Sequence, residues 1–352
     1  EEEGTHRYTF RKASGREVRI VGRSLDALGV AIASPLGVAR SGGVQARVLR
    51  NGSLATMTLP AGLELRTTAC PLILTPAAKI GTTPLLDNKL KPAWYIAVLK
   101  APGYETLRMP FHVDHPLDPY GHDPALHANM LPDDTTPPGF VYVGCDFYKW
   151  GERPYWILER QISSGEYLEF LNHEETRRTR EASAQKSKAL LPHGPLGPWR
   201  LDRDGRAQMP PGLAPDIPVL GVSLRAAQAH VAWRNSHDDD RPLDADFDLP
   251  SSFEWTRTSK GGDKRKYVFG EEFRASWIKS RDARALGAPE PGLRYAIDES
   301  PFGVFDLAGS AAEWCIRREL SGTEITRKFV VCSGSFEQRE AAEFRIDRWR
   351  PF

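Results

Sequence analysis

Thirty glycines and 28 prolines interrupt this chain of 352 residues, too often for long helices to pack into a bundle. Between those breaks stand 15 Phe, 10 Tyr and 9 Trp, large rings that need partners inside a core. Short strands and loops around aromatic cores, with a few helices, fit that pattern, so the expected class is α+β. The length suits two or three domains. Lys+Arg total 47 against Asp+Glu 46, a net charge of +1, which gives no global attraction to nucleic acid or to an anionic membrane. No apolar run reaches the length of a membrane span, and the acidic opening Glu1-Glu2-Glu3 is unlike a signal peptide. Cys70, Cys145, Cys315 and Cys332 form no C-x-x-C, which argues against a zinc ribbon or a disulfide scaffold. A reduced, cytoplasmic setting is expected.

Residues 7 to about 50 alternate polar and apolar in short bursts, as a small β module over 1–51 would. The cluster Gly37, Gly42, Gly43 lacks the Lys-Ser/Thr ending of a phosphate loop, so these are turn glycines. From Gly52 the pattern sharpens into strands at Leu54–Thr58 and Leu63–Thr67 around the turn Pro60-Ala61-Gly62, then at Trp94–Lys100 and Leu107–Val113. With I-G-T-T-P-L at 80–85, L-K-P-A-W-Y ending at Tyr95 and A-P-G-Y-E ending at Glu105, the stretch 52–114 resembles a PEGA module. That resemblance implies a spacer or docking β-domain. Residues 115–137 are rich in Pro, Asp and His and read as a linker. His112, His115, His122 and His127 lack helical spacing, so a solvated linker is the better reading than a metal site.

Beyond residue 138 the pattern changes. Gln161 to Asn172 reads as a strand, a Ser cap and an amphipathic helix burying Tyr167, Phe170 and Leu171. Ser223 caps a second helix, in which His230 is a packed histidine rather than a catalytic one. Asp238-Asp239-Asp240, with Asp244, Asp246 and Asp248, lacks calcium-loop spacing and reads as a solvated acidic turn. Ser251 and Glu254 make a capping box. In order, E-Y-L-E-F-L-N, this capping box, D-E-S-P-F-G-V-F-D-L-A-G and the block ending Glu313-Trp314 resemble the formylglycine-generating-enzyme (sulfatase-modifying factor) domain over 138–352. They are especially similar to copies fused, with PEGA modules, behind bacterial Ser/Thr protein kinases. The implied fold is a loop-rich α+β related to the C-type lectin fold.

The resemblance implies a site, and the residues at that site decide its chemistry. The family's oxidases hold copper between two thiolates in R-G-G-S-x-x-C-x-x-x-x-C-x-R. Here the matching stretch runs from Cys332 to Arg345, with Gln338 and Glu343 at the thiolate positions. Neutral amide and hard carboxylate do not suit Cu(I), which prefers sulfur. No oxidase activity and no cofactor are therefore expected. The family's calcium site is weakened as well, since Ser310 replaces an Asn while Glu313 and Trp314 remain. No H-x-x-x-H-x-E iron motif is present, and neither is an H-R-D or D-F-G kinase motif. Arg345, Arg348 and Trp349, with Gln338 and Glu343, are candidate contacts in the groove where the family binds peptide. The expected function is a silent scaffold that recognises a protein or peptide in bacterial signalling or defence. The alternatives are a thiol oxidase of altered chemistry using Cys332, with Cys315 a remote second thiol, and a lectin-like glycan-binding module.

Overall fold

The computed structural model describes residues 5–11, 17–23, 29–33, 45–50, 53–58, 78–82, 93–113, 125–128, 130–144, 154–182, 188–238, 246–261, 265–283, 288–295, 297–321 and 324–351. In the first part the backbone forms β1 (Thr5–Arg11), β2 (Glu17–Arg23), β3 (Gly29–Ala33), β4 (Gln45–Arg50), β5 (Ser53–Thr58), β6 (Ala78–Thr82), β7 (Ala93–Ala101), β8 (Tyr104–Val113) and β9 (Ala125–Ala128). β3 lies between β6 and β7 in a sheet of order β6-β3-β7-β8, and β4 pairs with β5 across residues 51 and 52. Strands from both sides of position 51 are thus hydrogen-bonded to one another. β9, inside the Pro/Asp/His-rich stretch, runs parallel to β2 with Arg19 opposite Ala125. β7 and β8 are joined at Pro102-Gly103, where Gly103 takes φ +78, the left-handed value that a tight turn gives to glycine. The turn Pro60–Gly62, the strand expected at 63–67, residues 83–85, His115 and His122 lie outside the described residues.

The second part contains β10 (Phe140–Val143), β11 (Tyr155–Leu158), α1 (Ser164–Asn172), α2 (Glu174–Glu181), the two-residue strands β12 (His193–Gly194), β13 (Gly197–Pro198), β14 (Arg200–Leu201) and β15 (Ala207–Gln208), α3 (Leu224–His237), α4 (Ser252–Lys260), β16 (Glu313–Ser321), β17 (Glu324–Cys332) and β18 (Trp349–Pro351). Each of three helices starts on a serine. Ser163 and Ser251 accept from the N–H of Glu166 and Glu254, whose carboxylates reach back to the serine N–H at 2.7 Å in both cases. Ser223 caps α3 through the N–H of Ala226. Burial follows helical period: α1 turns Tyr167, Phe170 and Leu171 inward, as its spacing predicts.

Two cores result. One gathers Tyr167, Phe170, Leu171, Trp199 and Ala226 between α1, α3 and the short strands. The other gathers Trp255, Phe269, Trp277, Ile278, Leu307, Cys315, Cys332 and Phe344 beneath the antiparallel sheet β16-β17-β18. Between helices and sheet, long loops close on their own backbone. In the D-E-S-P-F-G-V-F-D-L-A-G block, the buried Asp298 carboxylate accepts the N–H groups of Ala308 and Gly309 at 3.0 and 3.2 Å. Ser300 accepts those of Phe302 and Val304. A loop carrying that many buried backbone groups survives only because its own side chains satisfy them. β8 touches the second part through an Arg108–Glu299 ion pair, and Glu105 accepts the Thr136 N–H at 2.6 Å. Both helices and strands are present, as α+β requires.

Candidate functional site

A cleft of about 980 Å³ opens between the β10–β11 pair, α3 and the start of β16. Phe140, Trp156, Phe247 and Trp314 give it aromatic walls, while Arg160, Arg234, Glu313 and the 335–337 loop give it polar points. The Asn235 side-chain amide fixes the Phe247 edge, donating to the Phe247 carbonyl at 2.8 Å and accepting its N–H at 2.7 Å. The Phe140 and Phe247 rings stack at 5.5 Å, and the Arg234 guanidinium lies 4.4 Å from the Phe247 centroid. Its Nε also donates to Asp238 at 3.1 Å, so this arginine is held at the cleft wall rather than free to swing. Trp314 Nε1 donates to the Val222 carbonyl at 3.0 Å, which fixes the opposite wall.

Gln161 organises the floor. Its Nε2 reaches the carbonyls of Asp306 and Ala311 and Glu313 Oε1 at 3.1, 2.7 and 3.1 Å, while Oε1 accepts the Ala311 N–H. Burial pushes the Glu313 carboxyl up to about 7, against the Gln161 hydrogen bond and with the Asp306 carboxylate adding to the rise. Beside it, burial and Asp306 hold Asp298 well above the carboxylate range. At neutral pH Glu313 is therefore partly protonated. His230 lies in the same wall with its pKa lowered to about 4 by burial and by Arg234, so it is a neutral packed ring, as its helical position predicts.

The two positions matching the family's thiolates do meet in space. Gln338 Nε2 donates to Glu343 Oε2 at 3.0 Å. Gln338 Oε1 accepts the Ser335 N–H at 2.7 Å, and Glu343 Oε1 receives Arg348 at 3.2 Å. Arg350, the third arginine of the C-terminal run, approaches Glu343 at 3.9 Å. An amide and a carboxylate already engaged by guanidinium donors do not fit Cu(I). The four residues border the cleft through the 335–337 loop rather than lining it.

The remaining candidates scatter. Arg345 turns to Asp347, Nε to Oδ1 at 2.8 Å. Trp349 is exposed and carries the Arg317 guanidinium 3.8 Å above its ring. Ser310 is buried at φ +64, its N–H on the Lys279 carbonyl and its carbonyl receiving the Phe336 N–H, both at 2.9 Å. A hydroxyl and a carboxyl with a pKa of about 7 are a poor donor set for calcium, which takes several charged oxygens. Cys315 and Cys332 are both free and buried in the sheet-side core. Burial, and then Cys332 beside it, push the Cys315 thiol up. Asp238 and Asp248 of the acidic stretch face Arg234 and Arg327, while Asp239, Asp240 and Asp244 lie outside the described residues.

A cleft carried on irregular loops between two small cores, with capped helices on one side and an antiparallel sheet on the other, defines a loop-built α+β domain. The chain belongs to the family described as the sulfatase-modifying factor enzyme 1-like domain, whose model matches residues 135–347. It is 28% identical over 117 residues to the serine/threonine-protein kinase pkn1 of Chlamydia pneumoniae, a match covering 32% of this chain and 16% of that kinase. Among solved structures it is similar to CarF at 16% identity and a TM-score of 0.38, over 62% of this chain and 90% of that one. Among the described residues no helix is long and apolar enough to cross a membrane.

Proposed function

We propose that this chain is a catalytically silent binding domain that takes a protein or peptide segment into its cleft, in a bacterial signalling or defence pathway in the cytoplasm. The observation that carries this reading is the Gln338–Glu343 hydrogen bond, with Arg348 on the same carboxylate, at the place of the two thiolates. No sulfur is available there for copper, whereas the aromatic walls and the anchored Arg234 suit a peptide that offers apolar and carboxylate side chains. The named likeness to a serine/threonine kinase supports a signalling setting. An oxidase built on Cys332 has less support, because that thiol and Cys315 are sealed in the core. A calcium-dependent glycan module has less support too, given the donors at Ser310 and Glu313.

The test has two arms. The full chain, incubated with copper, air and a cysteine-containing peptide, is expected to consume no oxygen above buffer. Turnover that disappears in Cys332→Ser would overturn the silent reading. In the second arm, immobilised chain is expected to retain a protein from native lysate that an Arg234→Ala/Phe247→Ala variant of intact circular dichroism releases. Equal retention by both forms removes the cleft from the proposal.

A further inference from the structure

Away from the cleft, three side chains converge where α1 turns into α2 and α3 ends. The ligand atoms of His173, Glu175 and His237 lie within 4.8 Å of one another. His173 both closes α1 and opens α2, at φ −60 and ψ 142, yet its side chain makes no capping hydrogen bond. Such positions ordinarily hold Ser, Thr, Asp or Asn for that bond, so this imidazole does not serve as a cap. Its Nδ1 is shut off from solvent and meets no partner among the described residues.

His237 has the complementary feature. Its Nδ1 lies 2.9 Å from the Trp233 carbonyl, which only accepts, so Nδ1 carries the proton. In the neutral ring Nε2 then presents a lone pair, and it lies 3.1 Å from Glu175 Oε2. Two acceptors that close repel unless a proton or a cation stands between them. The Trp233 ring packs against both imidazoles, at 5.6 and 5.8 Å, which limits how either can turn away.

We propose that His173, Glu175 and His237 bind a divalent transition ion of the zinc class, clamping the α1–α2 corner to the end of α3. Two imidazoles and one carboxylate are a zinc-type set with a fourth position open to water. Calcium or magnesium would ask for more oxygen ligands. The Nδ1–H on the Trp233 carbonyl is the kind of outer hydrogen bond that orients a metal-binding histidine. Bonds of about 2.0–2.2 Å require the ligand atoms to draw in by roughly 1 Å, which the exposed Glu175 permits. The clamped helices carry Tyr167, His230 and Arg234 of the cleft wall, so the ion would stiffen that wall from behind.

The full chain, stripped with a chelator, is titrated with zinc by calorimetry and with cobalt by visible absorption. About one zinc is expected at this site, with cobalt bands of tetrahedral intensity. Loss of even an outer hydrogen-bond partner costs about 10–100-fold in metal affinity, so His173→Ala and His237→Gln should each weaken zinc by more than about tenfold. A variant with His112, His115, His122 and His127 all changed to Ala should bind as before. Should His173→Ala fail to fold, His237→Gln and Glu175→Gln, at exposed positions, carry the test. The proposal is overturned by absence of zinc uptake, by uptake unchanged in His237→Gln, or by uptake that vanishes in the four-histidine variant. In the first two cases the 3.1 Å contact is a plain imidazolium–carboxylate pair.

Discussion

The Cys315–Cys332 pair and the Gln338–Glu343 pair sit within one stretch of the molecule and live in opposite environments. The thiols lie buried in the sheet-side core, where burial and the neighbouring Cys332 raise Cys315. The amide and carboxylate lie at the half-buried rim, each polar atom met by a partner on the protein. One place has buried sulfur; the other has half-buried polar groups without sulfur. Thiolate chemistry needs sulfur and access in one place.

The largest break in that contrast should come from Phe344→Ala. Phe344 follows Glu343 directly, is 1% exposed, and stacks on Phe273 at 5.2 Å in the same core as the thiols. Truncation should cost about 3–5 kcal/mol in urea unfolding and expose Cys332 to alkylation, read by peptide mapping. A cost under about 1 kcal/mol would mean that rim and core are not joined through this ring.

Glu313 comes next, because it faces Cys332 across β16 and β17 while its carboxyl lines the cleft. Its folded pKa is raised to about 7, so the fold favours the protonated form. That stabilisation is complete below the ordinary carboxylate range and is lost as pH rises through about 7. Stability should therefore fall by about 1–3 kcal/mol between about pH 5 and pH 8. In Glu313→Gln the slope should shrink, with the raised Asp298 and Asp306 leaving a remainder. An unchanged slope in urea midpoints across pH would assign the dependence elsewhere.

Arg348→Ala should have the smallest effect. Its side chain is 49% exposed where it meets Glu343, so solvent screening leaves the pair worth less than about 1 kcal/mol. A melting temperature lowered as far as by Phe344→Ala would erase the distinction between rim and core.

Legibility in the chain followed sequence distance. The Ser163/Glu166 and Ser251/Glu254 boxes span three residues and act through bonds that close within one helical turn, so the residues alone locate them. The same holds for the inward face of α1 and for the Pro102-Gly103 turn. The pairing of β9 with β2, the seating of β3 between β6 and β7, and the closeness of His173 to His237 are different. Each joins segments that no periodicity links, and each depends on which surfaces are left to bury once local elements exist.

The sequence by itself determined that positions 338 and 343 carry an amide and a carboxylate and no sulfur, because residue identity does not depend on folding. It also determined the helix starts and the family's ordered blocks. Only the tertiary structure decided that Gln338 and Glu343 face each other, that Arg345 turns away to Asp347 while Arg348 and Arg350 turn in, and that burial raises the Glu313 pKa to about 7. Protonation and pairing are set by the dielectric and the charges that packing brings within a few ångströms, and those neighbours come from distant parts of the chain.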